Sequence, residues 1–134
     1  MCVLRVSGTN AAIEEFLKNS SLEPCVIFDD SHQSRKNKVP KTFGFNVPVS
    51  SAEFEDLYTQ IIDAIGFLKK ERRELKRLTE FAGIETVSVD FPISTTPEEV
   101  MVWSRRFPPK LLGLLGSLRI ELEFTIYPES HNEC

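Results

Sequence analysis

Residues 50–83 read SSAEFEDLYTQIIDAIGFLKKERRELKRLTEFAG and hold the longest amphipathic pattern in the chain. Ser50 and Glu53 have the spacing of a capping box, in which two side chains satisfy free backbone N–H groups at a helix start. Apolar residues then recur every three or four positions, at Phe54, Leu57, Tyr58, Ile61, Ile62, Ile65 and Leu68. This spacing predicts a helix over residues 51–81 with one apolar face packed on a sheet.

The length of this helix raises the question of whether it is straight. About 30 residues would make a rod of roughly 45 Å, whereas a typical strand spans only about 17–20 Å. The helix must therefore overhang its sheet or bend, and Gly66 with the charged run after Leu68 is the favoured position for a bend. Arg72 interrupts the apolar face before Leu75, Leu78 and Phe81 resume it, and Gly83 suits the left-handed residue that ends many helices.

The second half of the predicted helix is strongly basic. Cations near a helix C-terminus are stabilised by the helix dipole. If the helix overhangs the sheet, this end presents a basic, partly apolar surface that fits an acidic protein partner or a second copy of the chain. The candidate partner-binding residues are Lys69, Arg72, Arg73, Lys76 and Arg77.

Alternation of apolar and polar residues predicts the strands. They fall at residues 1–7, 25–28, 42–47, 86–93, 100–107 and 119–127. Two shorter helices begin near Asn10 and at the Pro108–Pro109 pair, since proline is favoured at the first helical position. The order βαββαββαβ predicts an α+β fold with a ferredoxin-like βαββαβ core, extended by a βαβ unit. We expect one mixed or antiparallel sheet with three helices on one face.

Length and charge limit the classes of function. The 134 residues fit a single domain over 1–134, and the polar residues 128–134 are expected to form a flexible tail. The net charge of −4 counts against a polyanion as the main partner, because nucleic-acid-binding domains usually carry a basic surplus. No apolar run approaches the ~18–20 residues of a membrane span, so no membrane association is expected.

The three cysteines are Cys2, Cys25 and Cys134. Their wide spacing makes neither a disulfide framework nor a C-x-x-C metal site. We interpret them as free thiols in a reducing compartment, with Cys2 and Cys25 as small buried apolar residues rather than nucleophiles. No signal-peptide pattern opens the sequence. These observations predict a cytoplasmic protein.

The search for a chemical site gives weak candidates. His32 beside Asp29 and Asp30 could bind a metal or act in acid–base chemistry, but metal sites usually need three or four ligands, and His131 is distant. We favour a solvated loop over residues 29–41. The glycines match no nucleotide-binding motif. We therefore expect no catalytic residue, no metal and no cofactor.

An RNA-binding sheet is an alternative to a protein-binding function. RNA-recognition sheets carry aromatic residues on central strands beside basic groups, and Phe43 and Phe45 could serve with the nearby basic residues Arg35, Lys36, Lys38 and Lys41. Because Phe43 and Phe45 share one strand face with Val47, we favour a place for them in the core.

Three segments resemble a group of small bacterial domains of unknown function. They are the strand end Val6-Ser7-Gly8, residues 75–91, and FPPKLLGLLGSLRIELEFTIYP at residues 107–128. Some proteins of this kind are suspected toxin-immunity proteins, and the resemblance implies that role. Three hypotheses stand: a non-enzymatic protein-binding or regulatory module, an RNA-binding ferredoxin-like domain, and a small enzyme with an unrecognised site.

Overall fold

The computed structural model describes residues 1–29, 43–94 and 104–127, which form five strands and four helices. The strands are β1 (Cys2–Gly8), β2 (Val26–Asp29), β3 (Phe43–Ser50), β4 (Ile84–Ser94) and β5 (Glu121–Tyr127). The helices are α1 (Asn10–Lys18), α2 (Leu57–Lys70), α3 (Arg72–Thr79) and α4 (Pro109–Ser117). The predicted α+β class is confirmed.

The strands form one sheet in the order β2-β3-β1-β4-β5. Neighbouring strands are antiparallel except at β4–β5, which is parallel, so the sheet is mixed, as predicted. Leu4 at the centre of β1 lies opposite Val47 on one side and Val89 on the other. Residues 104–107, the described part of the fifth predicted strand, form no strand, and residues 100–103 lie outside the described residues.

The two faces of the sheet differ in chemistry. On β1, Leu4 and Val6 are buried in the core that the helices share, and Arg5 lies on the opposite face. There the Arg5 guanidinium pairs with the Asp90 carboxylate at 3.0 Å, and the Thr125 hydroxyl donates to the same carboxylate at 2.9 Å. Asp90 is only 2 % exposed, so this face is polar but not fully solvated.

The core joins all four helices to a single face of the sheet. Phe16 of α1 stacks on Phe45 of β3 with ring centroids 6.1 Å apart, and Phe81 meets Phe16 edge-on at 5.5 Å. The helical residues buried in this core are Ile13, Phe16, Ile61, Ala64, Leu68, Leu75, Leu78, Leu111 and Leu115. The predicted three helices on one face become four, because the longest one is interrupted.

The predicted helix over residues 51–81, which the sequence leaves either continuous or bent, is interrupted at Glu71. The Glu71 backbone (φ −97°, ψ 15°) leaves α-helical geometry, and α3 begins at the next residue. Leu75 and Leu78 are fully buried in the core. The break therefore lies within the charged run after Leu68 that the sequence favours, and the second apolar stretch packs in the core of the same domain.

The start of this region also differs from the expectation. Ser50 ends β3 instead of capping a helix, and its hydroxyl donates to the Asp63 carboxylate at 2.6 Å. Asp56 caps α2 by accepting from the Thr59 backbone N–H at 3.1 Å and the Thr59 hydroxyl at 2.6 Å. These bonds, led by the one from the hydroxyl, lower the pKa of Asp56. The capping box at Ser50 and Glu53 is wrong because β3 continues through Pro48.

Gly83 has the left-handed conformation expected of it, with φ +92°. It lies in the turn between α3 and β4, and its carbonyl accepts from the Thr9 backbone N–H at 2.9 Å. A Cβ atom at this position would lie 2.6 Å from the Cβ of Ala12. Glycine is therefore required both by backbone conformation and by space.

Helix α4 begins at Pro109, as the sequence predicts, and ends in a Schellman motif. The Ile120 N–H donates to the Leu115 carbonyl at 2.9 Å, and the Arg119 N–H donates to the Gly116 carbonyl at 3.2 Å. Arg119 takes the left-handed position with φ 59°. This turn directs the chain from α4 into β5.

The cysteines only partly follow the prediction. Cys2 is a free thiol and fully buried, and burial, more than the nearby Asp90 charge, raises its pKa. Cys25 is exposed and disulfide-bonded, so the predictions of three free thiols and of a buried Cys25 are wrong. Cytoplasmic location stays a prediction that the cysteines no longer support. Every helix in the described part of the chain is too short or too polar to span a bilayer.

Candidate functional site

The basic residues around Glu71 separate into two groups. Lys69 at the end of α2 and Arg72, Arg73 and Lys76 on α3 are exposed. None of these four forms an ion pair with another described residue. Their role in binding an acidic partner stays a prediction.

Arg77 is engaged within the chain. Its guanidinium lies 4.2 Å from the centre of the Phe16 ring and 5.7 Å from that of Phe81. Its Nε donates to the Glu74 carboxylate at 2.6 Å, and an η-nitrogen donates to the Phe16 and Asn19 carbonyls at 3.4 Å. Arg77 thus joins α3 to the end of α1.

The apolar face of α2 is wider than the part that the sheet covers. Its buried residues are Gln60, Ile61, Ala64 and Leu68. At about 100° per residue, Tyr58 and Ile62 lie at the far margin of the apolar stripe, and they are 75 % and 49 % exposed. The expectation that the whole stripe packs on the sheet is therefore wrong for Tyr58 and Ile62.

These exposed residues form one wall of a cleft that we name the α2–α4 groove. The opposite wall is the segment that leads into α4, where Phe107 rests against the ring of Phe91 at 5.2 Å. The groove has a volume of about 650 Å³, and its lining is Tyr58, Ile61, Ile62, Ile65, Arg106, Phe107, Pro108 and Pro109. Seven of these eight residues are apolar or aromatic. The two prolines fix the backbone of their wall.

Positive charge lies beside the groove. Arg106 belongs to its lining, Lys69 follows Ile65 by one helical turn, and Lys110 follows Pro109. The neighbouring Lys110 side chain, first through its hydrogen-bonding effect and then through charge repulsion, lowers the pKa of Lys69. We call Lys69, Arg106 and Lys110 the basic rim. Among the described residues, none of the three has an acidic partner.

Of the basic rim, the sequence singled out only Lys69. The width of the apolar stripe was a usable signal, because Leu57, Tyr58, Ile61 and Ile62 together span an arc of roughly 140° at about 100° per residue. Nothing in the sequence indicates that α4 lies beside α2, and so Arg106 and Lys110 could not be assigned.

The other candidates from the sequence do not form a site here. Phe45 is fully buried and Phe43 packs against the core, as we favoured, so neither ring is free to stack on a base. His32 and Asp30 lie outside the described residues. Within the described ranges, no three His, Cys, Asp or Glu side chains are grouped so that they could hold a metal ion. The Gln60 Oε1 atom is buried without a partner, while its amide nitrogen donates to the Glu53 carbonyl at 2.9 Å.

No family model, curated protein or solved structure matches this chain. Its function is therefore inferred from the α2–α4 groove and the charges around it.

Proposed function

We propose that the chain is a non-enzymatic protein-binding or regulatory module that receives an acidic, amphipathic segment of its partner in the α2–α4 groove. The observation that carries this proposal is the exposure of Tyr58 and Ile62 in a cleft lined almost entirely by apolar groups. Apolar anchors held in such a cleft supply most of the affinity in helix-in-groove recognition.

The basic rim supports an acidic partner over a neutral one. Two ammonium groups side by side repel each other, and a carboxylate placed between Lys69 and Lys110 would remove that repulsion. Arg106 offers a second contact for a carboxylate, of the kind that arginine makes in a bidentate manner. Charges at the edge of an interface chiefly accelerate association and select the partner.

The proposal also includes a ferredoxin-like core within the α+β fold. The order β2-β3-β1-β4 with three antiparallel pairs supports a ferredoxin-like βαββαβ core to which α4 and β5 are added. Because that fold supports many unrelated functions, we rest the function on the groove alone. A role as a bacterial toxin-immunity protein is the form of the proposal that the resemblance of residues 107–128 suggests, with an acidic face of the toxin as the ligand.

The direct test uses two model peptides that differ only in charge. One is an amphipathic helical peptide of leucine and glutamate, and the other carries lysine at every glutamate position. We expect the acidic peptide alone to shift the amide resonances of residues 58–69 and of Arg106, Phe107 and Lys110 in an NMR titration, with affinity that falls as salt rises. Equal binding of both peptides, or shifts elsewhere, would contradict the proposal.

A charge-reversal pair provides the control. Lys69→Glu removes one member of the basic rim, whereas Lys18→Glu makes the same change in net charge on α1, where Lys18 is exposed beside Glu15. We expect the first variant to weaken acidic-peptide binding about tenfold, which corresponds to about 1.4 kcal/mol, and the second to leave it unchanged. Equal loss in both variants would mean that only the overall charge matters.

A further inference from the structure

The outer strand β5 has the features of a strand that pairs with another molecule. It lies at one edge of the sheet and, within the described residues, pairs only with β4. Its seven residues keep an unbroken register with β4, and residues 121–127 contain neither lysine nor proline. Edge strands that must remain single are usually short, bulged, or protected by proline or by charged side chains, lysine above all. The charged residues of β5 are Glu121 and Glu123.

The opposite edge of the sheet is different. Strand β2 has four residues, Val26–Asp29, and thus offers about half as many backbone groups to a partner strand. The segment before it contains Pro24, which has no N–H to donate. The sheet therefore has one edge built for pairing and one that is not.

The side chains of β5 also lack full cover. Phe124 is 54 % exposed and Ile126 is 57 % exposed, although their register neighbours on β4, Phe91 and Ile93, are buried. Both point to the face of the sheet that carries the helices. A strand added beside β5 would place its own side chains next to them, because cross-strand neighbours on one face lie about 4.5–5.5 Å apart.

We propose that two copies of the chain pair through β5, antiparallel, about a two-fold axis at Phe124. Each residue of β5 then lies opposite a residue of the second copy: Phe124 lies opposite Phe124, and Leu122 lies opposite Ile126. Glu121 meets Tyr127, and Glu123 meets Thr125, so each carboxylate faces a neutral group. The two five-stranded sheets become one sheet of ten strands.

Charge selects this register over its neighbours. An axis at Glu123 would place two carboxylates directly opposite each other, which is unfavourable in a strand pair. An axis at Thr125 would leave Glu121 and Leu122 beyond the last paired residue of β5. A shift by a single residue would put Phe124 on the polar face of the partner strand. The pairing about Phe124 is self-complementary, as a two-fold interface requires.

Sedimentation equilibrium over ~5 µM to ~1 mM tests this proposal on the full chain. We expect the wild-type mass to approach twice the 15.3 kDa of one chain as concentration rises. Phe124→Glu and Phe124→Lys should each remain monomeric, since like charges would meet at the axis. An equimolar mixture of the two variants should recover the dimer, because glutamate then faces lysine.

Two matched controls locate the effect. Ile27→Glu changes a residue of the other edge strand that is 66 % exposed, and Ile62→Glu changes the α2–α4 groove; both should dimerise as the wild type does. Unchanged urea midpoints for the Phe124 variants would show that they fold. A monomeric wild type at ~1 mM, a dimer that persists in both Phe124 variants, or loss of the dimer in Ile62→Glu alone would overturn the proposal. None of these outcomes bears on peptide binding in the groove.

Discussion

The two helices on either side of Glu71 use their side chains in opposite ways. In α3, Leu75 and Leu78 are fully buried and Arg77 covers the ring of Phe16. In α2, the residues next to the core are buried too, but Tyr58 and Ile62 stay exposed. The comparison shows that the apolar residues of α3 are all buried in the core, whereas part of the apolar face of α2 is exposed to solvent.

The difference between buried and exposed apolar residues of these helices should be largest in the free energy of unfolding. Leu68→Ala and Leu75→Ala each remove a fully buried side chain and should lower the free energy of unfolding by about 2–5 kcal/mol. Tyr58→Ala should change it by no more than about 0.5 kcal/mol, as exposed positions usually do. Urea denaturation followed by circular dichroism measures all three. A large loss for Tyr58→Ala would place that residue in the core and would remove the contrast.

A second test compares a buried and an exposed carboxylate on the polar face of the sheet, Asp90 and Glu123. Asp90→Ala leaves the guanidinium of Arg5 and the hydroxyl of Thr125 without the carboxylate that they share. Because Arg5 is about one third exposed, we expect a cost near 2 kcal/mol, below the ~3–5 kcal/mol of a fully buried pair. On the same face, the Glu123 carboxylate accepts from the Ser88 hydroxyl at 3.0 Å. Glu123→Ala should therefore lower the free energy of unfolding by less than about 1 kcal/mol. Equal effects in the two variants would mean that burial of Asp90 contributes nothing.

The smallest effect concerns the basic residues. Arg77→Met should lower the free energy of unfolding by about 1 kcal/mol, since it loses the contact with Phe16 and the ion pair with Glu74. Arg73→Met, on the exposed side of the same helix, should stay within about 0.5 kcal/mol. Thermal unfolding of both proteins in the same buffer decides between them. A larger loss of stability in Arg73→Met than in Arg77→Met would contradict the view that Arg77 stabilises the fold and Arg73 does not.

The sequence was informative where a local rule determines the structure. Proline at the start of α4, the left-handed Gly83, and the alternation in β1 and β5 were each predicted from residues within a few positions. The α+β fold class and the mixed sheet were predicted from the order of these strands and helices. Such features depend on backbone sterics and on which side chains can be buried together.

The remainder depended on contacts between distant parts of the chain. The helix length and the charged run after Leu68 indicated a bend, but its position at Glu71 depends on the burial of Leu75 and Leu78 in the core. The cap of α2 moved from Ser50 to Asp56 because β3 extends through Pro48 and pairs with β1. The basic rim could not be predicted for the same reason: Lys69 and Lys110 are 41 positions apart in sequence and meet only because α2 packs beside α4.

The division of α2 into a stabilising face and a binding face is tested most directly by Ile62→Glu. For this one variant, the free energy of unfolding and the dissociation constant for the acidic amphipathic peptide are measured in parallel. We expect the former to change by no more than about 0.5 kcal/mol and the latter to rise at least about tenfold, since a carboxylate then occupies the apolar wall of the groove. A loss of about 2 kcal/mol or more in stability, or unchanged peptide binding, would contradict the account.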